Sequence, residues 1–401
     1  MPSWFVGEAG RARLAVVAIF LVAGFSFSAW AVRIPDVKGN LRLDDATLGL
    51  SLLGMAAGAV VAMTASGLFI ARLGSRRVTT VAALLACATM ALPPAAPSAP
   101  ALFGALFLYG AAYGTMDVAM NAQAVLVEAK VGRPIMSSFH GMFSAGALFG
   151  SFVAALVAGA GVAPVPHLLA TGIVLAVAVL LAAPRLLPEA ATEAADGPVF
   201  ALPTGPLAGI GAVAFCVLLA EGAVADWSAV FLRDVLDASA AVGGWGFTAF
   251  SLTMAIGRFA GDGLIQRLGP VRVVRWGGVL VAAGLAVALL AGAPAAALVG
   301  FALVGAGLAA TFPIALSAAG RVPGVPTGTA IAAVATAGYT GFLVGPPAIG
   351  FVSAAFGGLR AGLAVVALLG VVIALLAAQA RHAKIGPHAG HAPAAEAGAE
   401  L

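Results

Sequence analysis

Residues Gly110 to Gly150 read GAAYGTMDVAMNAQAVLVEAKVGRPIMSSFHGMFSAGALFG. The stretch divides into two apolar helices joined by a short charged turn, Glu128-Ala-Lys-Val-Gly-Arg133. On a 3.6-residue helix Gly110, Gly114, Asp117, Asn121 and Glu128 fall within roughly 60° of one another. One side of a greasy helix therefore carries two small residues, a carboxylate, an amide and a second carboxylate. The next helix repeats the device with Ser137, His140, Ser144 and Ser151 beside a Gly146/Gly150 pair. Antiparallel pairing about Lys130 and Val131 would set Asn121 level with His140, and Asp117 level with Ser144. Ionisable groups at membrane depth are costly and usually face a wet cavity or a partner. Asp117 and Asn121 are thus read as a site rather than as internal glue. His140 stands open between the two roles, and Glu128, near Lys130 and Arg133, reads as an interfacial charge.

Composition widens this local reading to the whole chain. Of 401 residues, 62% are hydrophobic and only 9% charged, and the mean hydropathy is +1.08. A soluble domain carries about 25% charged residues. Too little polar surface exists to coat a water-soluble particle, so the chain is expected to be an all-α membrane protein. The formal charge of +4 does not imply nucleic acid, because the basic residues sit in short loops, where they act as a topology signal. Cys87 and Cys216 both lie in apolar runs, so small-hydrophobe packing is the default and a disulfide framework is not.

A spanning helix needs about 20 apolar residues. Twelve candidates occur, at 13–34, 46–71, 76–96, 100–127, 134–161, 166–183, 206–231, 240–265, 271–292, 295–319, 327–355 and 359–380. The first, without a small-residue cleavage site at its end, reads as an uncleaved helix rather than a targeting peptide. With both termini in the cytoplasm, most of the 20 Lys and Arg residues fall in cytoplasmic segments. Arg33, Lys38, Arg42, Arg233 and Arg360 fall in outside loops. That bias supports an even number of helices in this orientation.

Two halves emerge: residues 1–183 as a first six-helix bundle and 206–380 as a second. A Pro-, Ala- and charge-containing cytoplasmic linker, 184–205, lies between them, and an Ala/Gly/His-rich tail, 381–401, is expected to be disordered. The halves read as repeats. GLFIARLGSRR from Gly67 matches DGLIQRLGPVR from Asp262, and Trp30 sits before the first copy about as far as Trp227 before the second. HGMFSAGALFG from His140 aligns with ATAGYTGFLVG from Ala335, pairing Gly146 with Gly341 and Gly150 with Gly345. A pseudosymmetric pair of bundles is a transporter architecture.

Twelve helices, a central linker and the loop Gly67-x-x-x-x-Arg72-x-Gly74-x-Arg76-Arg77 resemble the major facilitator superfamily over nearly all the chain to about residue 380. The family usually has an aspartate before the first arginine; here Ala71 stands there, which puts in question the charge lock ascribed to this loop. The Asp117/Asn121 stripe with His140 is similar to the fucose/hexose–proton symporter branch. The Gly-Pro signature of drug antiporters is absent from helix five. The resemblance implies that helices 1, 4, 7 and 10 line a central cavity.

On those helices further candidates stand out. Ser26, Trp30 and Arg33 share a face of helix 1, readable as a cavity wall or as an interfacial belt with a flanking cation. Helix 7 offers Glu221, well inside the hydrocarbon, as the functional carboxylate; Asp226 points roughly 140° away and reads as a partner of the outer loop. Trp227 adds an indole. In helix 8, Arg258 and Asp262 are spaced i, i+4 and read as a structural ion pair, with gating as the second reading. Arg72, Arg76 and Arg77 are the gating candidates of the loop. Helix 10 adds Thr311 and Pro313. His382, His388 and His391 read as a solvated tail rather than a metal site. No GxxxxGK[ST] loop and no hydrolase motif occurs, so neither ATP coupling nor catalysis by this chain is expected, and no cofactor.

The expectation is secondary active transport of a small polar, sugar-like solute across the cytoplasmic (inner) membrane, coupled to protons. Asp117 and Glu221, one per half, would carry the protons. Asn121, His140, Ser144, Trp30 and Trp227 would bind the solute. Desolvation favours the neutral form of a carboxyl group, and a neutral group is cheaper to carry through a closed state. The alternatives are proton-antiport efflux of an amphipathic metabolite or drug, and a non-transporting membrane sensor. Expected partners are the solute, protons and the bilayer, with the chain a monomer and no nucleic acid bound.

Overall fold

The computed structural model describes residues 7–132, 135–188 and 201–383. Twelve helices in it are long and apolar enough to span a membrane. They are α1 Glu8–Leu41, α2 Asp45–Leu73, α3 Ser75–Ala95, α4 Ala99–Val131, α5 Ser138–Gly159, α6 Pro164–Arg185, α7 Gly205–Val235, α8 Ala240–Gly261, α9 Pro270–Leu290, α10 Pro294–Ala319, α11 Thr327–Ala355 and α12 Leu359–His382. The helix of α5 begins at Met136 and that of α8 continues to Leu268. No strand occurs among the described residues. The expected linker is described only at its two ends and the expected tail only to residue 383. The remainder of both, with Arg133, His388 and His391, lies outside the described residues, as do the side chains of Ser137 and Asp262.

Local chemistry sets the helix ends. Asp44 caps α2 by accepting the Thr47 amide at 2.7 Å, and Ser98 and Ser239 cap α4 and α8 in the same way, each satisfying an amide with no partner inside its helix. The matched loops after α2 and α8 form the same joint. Gly74 (φ 78, ψ 147) and Gly269 (φ 80, ψ 153) adopt a conformation that favours glycine. Each closes one helix, by donating to Ile70 O and Ile265 O respectively at 2.8 Å, and opens the next.

Most helix packing lies within the first six helices or within the last six. Within the first six, α1 packs on α5, α6 and α4, while α2 packs on α4 and α3 on α4 and α6. Within the last six, α7 packs on α11, α8 and α12, and α9 on α10 and α12. Close approach rests on glycine, because lipid tails are as apolar as leucine and helices associate in a bilayer largely through tight packing. A Cβ at Gly146 would strike the backbone of Leu21, and one at Gly341 the backbone of Phe215. The α5/α1 and α11/α7 contacts are therefore built from equivalent positions.

Large apolar side chains such as Leu85, Phe149, Val174, Leu290 and Leu368 stay exposed along the outer faces, where a bilayer takes the place of water. Cys87 and Cys216 are buried and unpaired.

Two sequence expectations change here. α4 and α5 do not face each other along their length; α1 packs against both, so Asn121 and His140 are not partners. Also α1 runs through Pro35 to Leu41, so Arg33 and Lys38 belong to a helix rather than a loop, as does Arg233 at the end of α7.

Candidate functional site

Where the halves meet, α5 packs on α8, α2 on α11 and α1 on α7. Between them lies a cavity of about 210 Å³. α4 brings Tyr113 and Asp117 to it, α5 brings Ser144, α7 brings Glu221, α8 brings Arg258 and α11 brings Tyr339. α1 contributes Phe27 and α8 also Ser251, and the remaining wall is aromatic, methionine-rich or aliphatic. Asp117 and Glu221, from opposite halves, thus share one hollow.

Arg258 crosses it. Its Nη1 donates to Ser144 Oγ at 2.8 Å, and its Nη2 lies 3.6 Å from Glu221 Oε1. The guanidinium therefore ties α5 of one half to α7 and α8 of the other. The side chain of its expected partner, Asp262, lies outside the described residues.

Asp117 has a different setting. Asn121 donates to the Asp117 backbone carbonyl at 2.9 Å, so the amide closes a helical turn instead of reaching into the cavity. No hydrogen bond or ion pair reaches the Asp117 carboxylate among the described residues.

His140 is exposed, edge-on to Phe20 with ring centroids 5.4 Å apart, and is not in the cavity wall. Trp30 and Trp227 are 2% and 0% exposed and lie in the packed interior. The face of α1 expected to line the cavity turns into its own bundle: Ser26 bonds the Tyr109 hydroxyl at 2.6 Å and Arg33 is buried. α10 supplies no lining residue; the Thr311 hydroxyl bonds Gly307 O within its own helix. Asp226 is buried away from the cavity. Arg72, Arg76 and Arg77 form no ion pair among the described residues. Glu128 accepts the Ile135 and Met136 amides, both at 2.7 Å, and so caps α5.

On one side of the cavity a charged network ties α1 to its own half and to α7. Buried Arg33 donates to His167 Nδ1 at 3.0 Å, to Asp36 at 2.9 Å and to Val162 O at 2.8 Å. Arg233 of α7 pairs with the same Asp36. Lys38 bridges Asp45 at 2.6 Å and Asp234 at 2.7 Å. Nearby, Gly49 of α2 and Gly350 of α11 lie against the other helix's backbone. On the opposite side α2 and α11 part. A second hollow lined by Met63, Thr64, Gly67, Thr336 and Tyr339 shares Met63 and Tyr339 with the first and leads toward the face bearing the two described chain ends.

The chain is 38% identical over 334 residues to an uncharacterized MFS-type transporter of Yersinia pestis, a match covering 83% of this chain and 87% of that protein. The chain belongs to the major facilitator superfamily. Residues 210–400 match the Major Facilitator Superfamily profile. The nucleoside transporter NupG superposes with a TM-score of 0.72 at 16% identity, covering 93% of this chain and 99% of NupG. A variant of the E. coli fucose:proton symporter FucP superposes with a TM-score of 0.60 at 17% identity, covering 91% and 97%. These two likenesses show the twelve-helix fold.

Sequence reasoning passed over Gln123, Tyr113, Phe27 and the Arg33–Asp36–Arg233 cluster. The i, i+4 spacing of Tyr113 and Asp117 was the available signal, because it sets both on one helix face.

Proposed function

We propose that this superfamily member is a proton-coupled secondary transporter of the cytoplasmic membrane, with both chain ends in the cytoplasm, working by alternating access. The observation that carries the reading is the meeting of Asp117 and Glu221, one from each half, in a single central cavity. A proton on either carboxyl group changes the charge that the halves must enclose when they close. The ion pairs of α1 with α7 serve as the latch on the outer side. Their exchange for contacts on the inner side would turn the cavity over. In this reading the cavity, closed outward, leads to the cytoplasm.

The solute is small and amphipathic. Rings, methionines and aliphatic groups supply most of the wall, and such a surface suits a solute with an apolar body beside its polar groups. That lining favours the efflux reading over a sugar symporter. The nearby fold of FucP bears on the architecture, not on the cargo.

The experiment is gradient-driven solute flux in proteoliposomes made with wild type, Asp117→Asn and Glu221→Gln. Each variant is expected to lose at least tenfold in proton-driven accumulation. Full accumulation by both overturns the carboxylate mechanism.

A further inference from the structure

We propose that the solute held by this cavity is a cation whose ammonium group pairs with Asp117 while the surrounding rings hold its carbon body. The proposal rests on the reading of the cavity as the transport site.

The charges in the cavity wall do not balance. Among the described lining residues the acids are Asp117 and Glu221 and the single base is Arg258. Arg258 is already committed, to Ser144 by a hydrogen bond and to Glu221 by charge. Glu221 therefore meets its opposite within the wall. Asp117 does not, and with both acids ionised the wall is left one negative charge in excess. A buried or half-buried carboxylate without a partner is expensive, and the missing partner is a positive one. An anion would have to share Arg258 with Glu221 and then face the uncompensated Asp117. A neutral solute could hydrogen-bond Asp117 but would leave the excess negative charge in place.

The rings make a second, independent case. Phe27 stands 6.1 Å, centroid to centroid, from both Tyr113 and Phe247, and Phe247 stacks on Phe250 at 5.7 Å. A continuous aromatic lining thus reaches from α4, one turn from Asp117, across α1 to α8. Ring faces attract cations, the more so once water is excluded.

One chemical consequence follows. A protonated Asp117 that takes an ammonium ion becomes a carboxylate–ammonium pair and gives its proton to water. Proton and solute then compete for one group, so exchange is their natural relation. Among the described residues the other titratable or charged groups lining the cavity with Asp117 are Tyr113, Glu221, Arg258 and Tyr339.

The test uses the full chain purified in detergent, with thermal stability as the readout of binding. Two sets of matched probes share a body and differ in charge: phenethylamine, phenethyl alcohol and phenylacetate; and glucosamine, glucose and glucuronate. Phenethylamine is expected to stabilise the protein at concentrations where its neutral and acidic counterparts do not, and stabilisation by glucosamine alone would contradict the part given to the rings. Asp117→Asn should weaken that amine at least tenfold, and Asp117→Glu should retain it, provided each variant alone melts near wild type. Amine binding should also release protons into weakly buffered solution. Preference for a neutral or acidic member, an amine effect unchanged in Asp117→Asn, or no stabilisation by any probe overturns the proposal. Asp117-dependent amine binding without flux in proteoliposomes would instead overturn the transport reading. Proton-driven flux of a neutral solute without amine preference would overturn this one alone.

Discussion

At Gln123 a fully buried amide makes three hydrogen bonds. Its nitrogen donates to Ser75 Oγ at 2.7 Å and to Leu187 O at 3.0 Å, and its oxygen accepts the Leu187 amide at 3.0 Å. The start of α3, the last third of α4 and the chain leaving α6 are joined at one side chain. Gln123→Ala would strand the Leu187 amide and carbonyl in a closed site, each stranded group costing about 1–3 kcal/mol. A clear fall in the melting temperature of the detergent-solubilised protein is expected, with the cavity's ligand affinity unchanged in the folded fraction. Asp117 and Glu221 were readable from the sequence because an isolated carboxylate in an apolar helix is conspicuous. Gln123 was passed over because an amide is cheaper there and its two partners come from distant positions. Trp30 and Trp227 were misread for the converse reason: their matched places in the two halves reflect shared packing of the bundles, not a shared wall.

Helices here hold each other by absence of side chain. At Gly146 and Gly341 an added methyl would meet the backbone of Leu21 and Phe215, whereas at Gly67 it would meet nothing within 4 Å. Gly146→Ala and Gly341→Ala are therefore expected to lower the yield and melting temperature of folded protein. Gly67→Ala should leave both unchanged or raise them, since alanine in a helix interior gains about 0.5–1 kcal/mol over glycine. Size-exclusion profiles and thermal melts of the three variants check this contrast. The spans themselves were legible from length and hydropathy. The largest departure was α1, which continues beyond the apolar run because Arg33, Asp36 and Lys38 find partners inside the protein. Which helix faces which was not legible. In water an amphipathic stripe marks the buried face, but in a bilayer both faces are apolar and the stripe is lost. The supposed α4–α5 pairing failed on that point.

For the whole molecule, the α5–α8 seam holds along its length. Gly244 lies against Ala155, Ser151 bonds Thr248 at 3.0 Å, and Gly141 meets Phe259. α2 and α11 meet closely at one end only. Thr64→Cys and Thr336→Cys should therefore react readily with a maleimide added from the side of the chain ends, while Leu48→Cys, at a position only 1% exposed, should not. Buried Cys87 and Cys216 keep the background low. Equal labelling of all three would contradict the closure described above. The duplicated scaffold carries a last implication. Shifted by the spacing that pairs Gly146 with Gly341, Asp117 falls on Phe312, Glu221 on Ser26 and Arg258 on Met63. The joints and the seams occur at matched positions in both halves, yet the ionisable groups occur once each. A container with true twofold symmetry would accept its passenger in either of two orientations. This one has a head and a foot, and whatever travels in it rides facing one way.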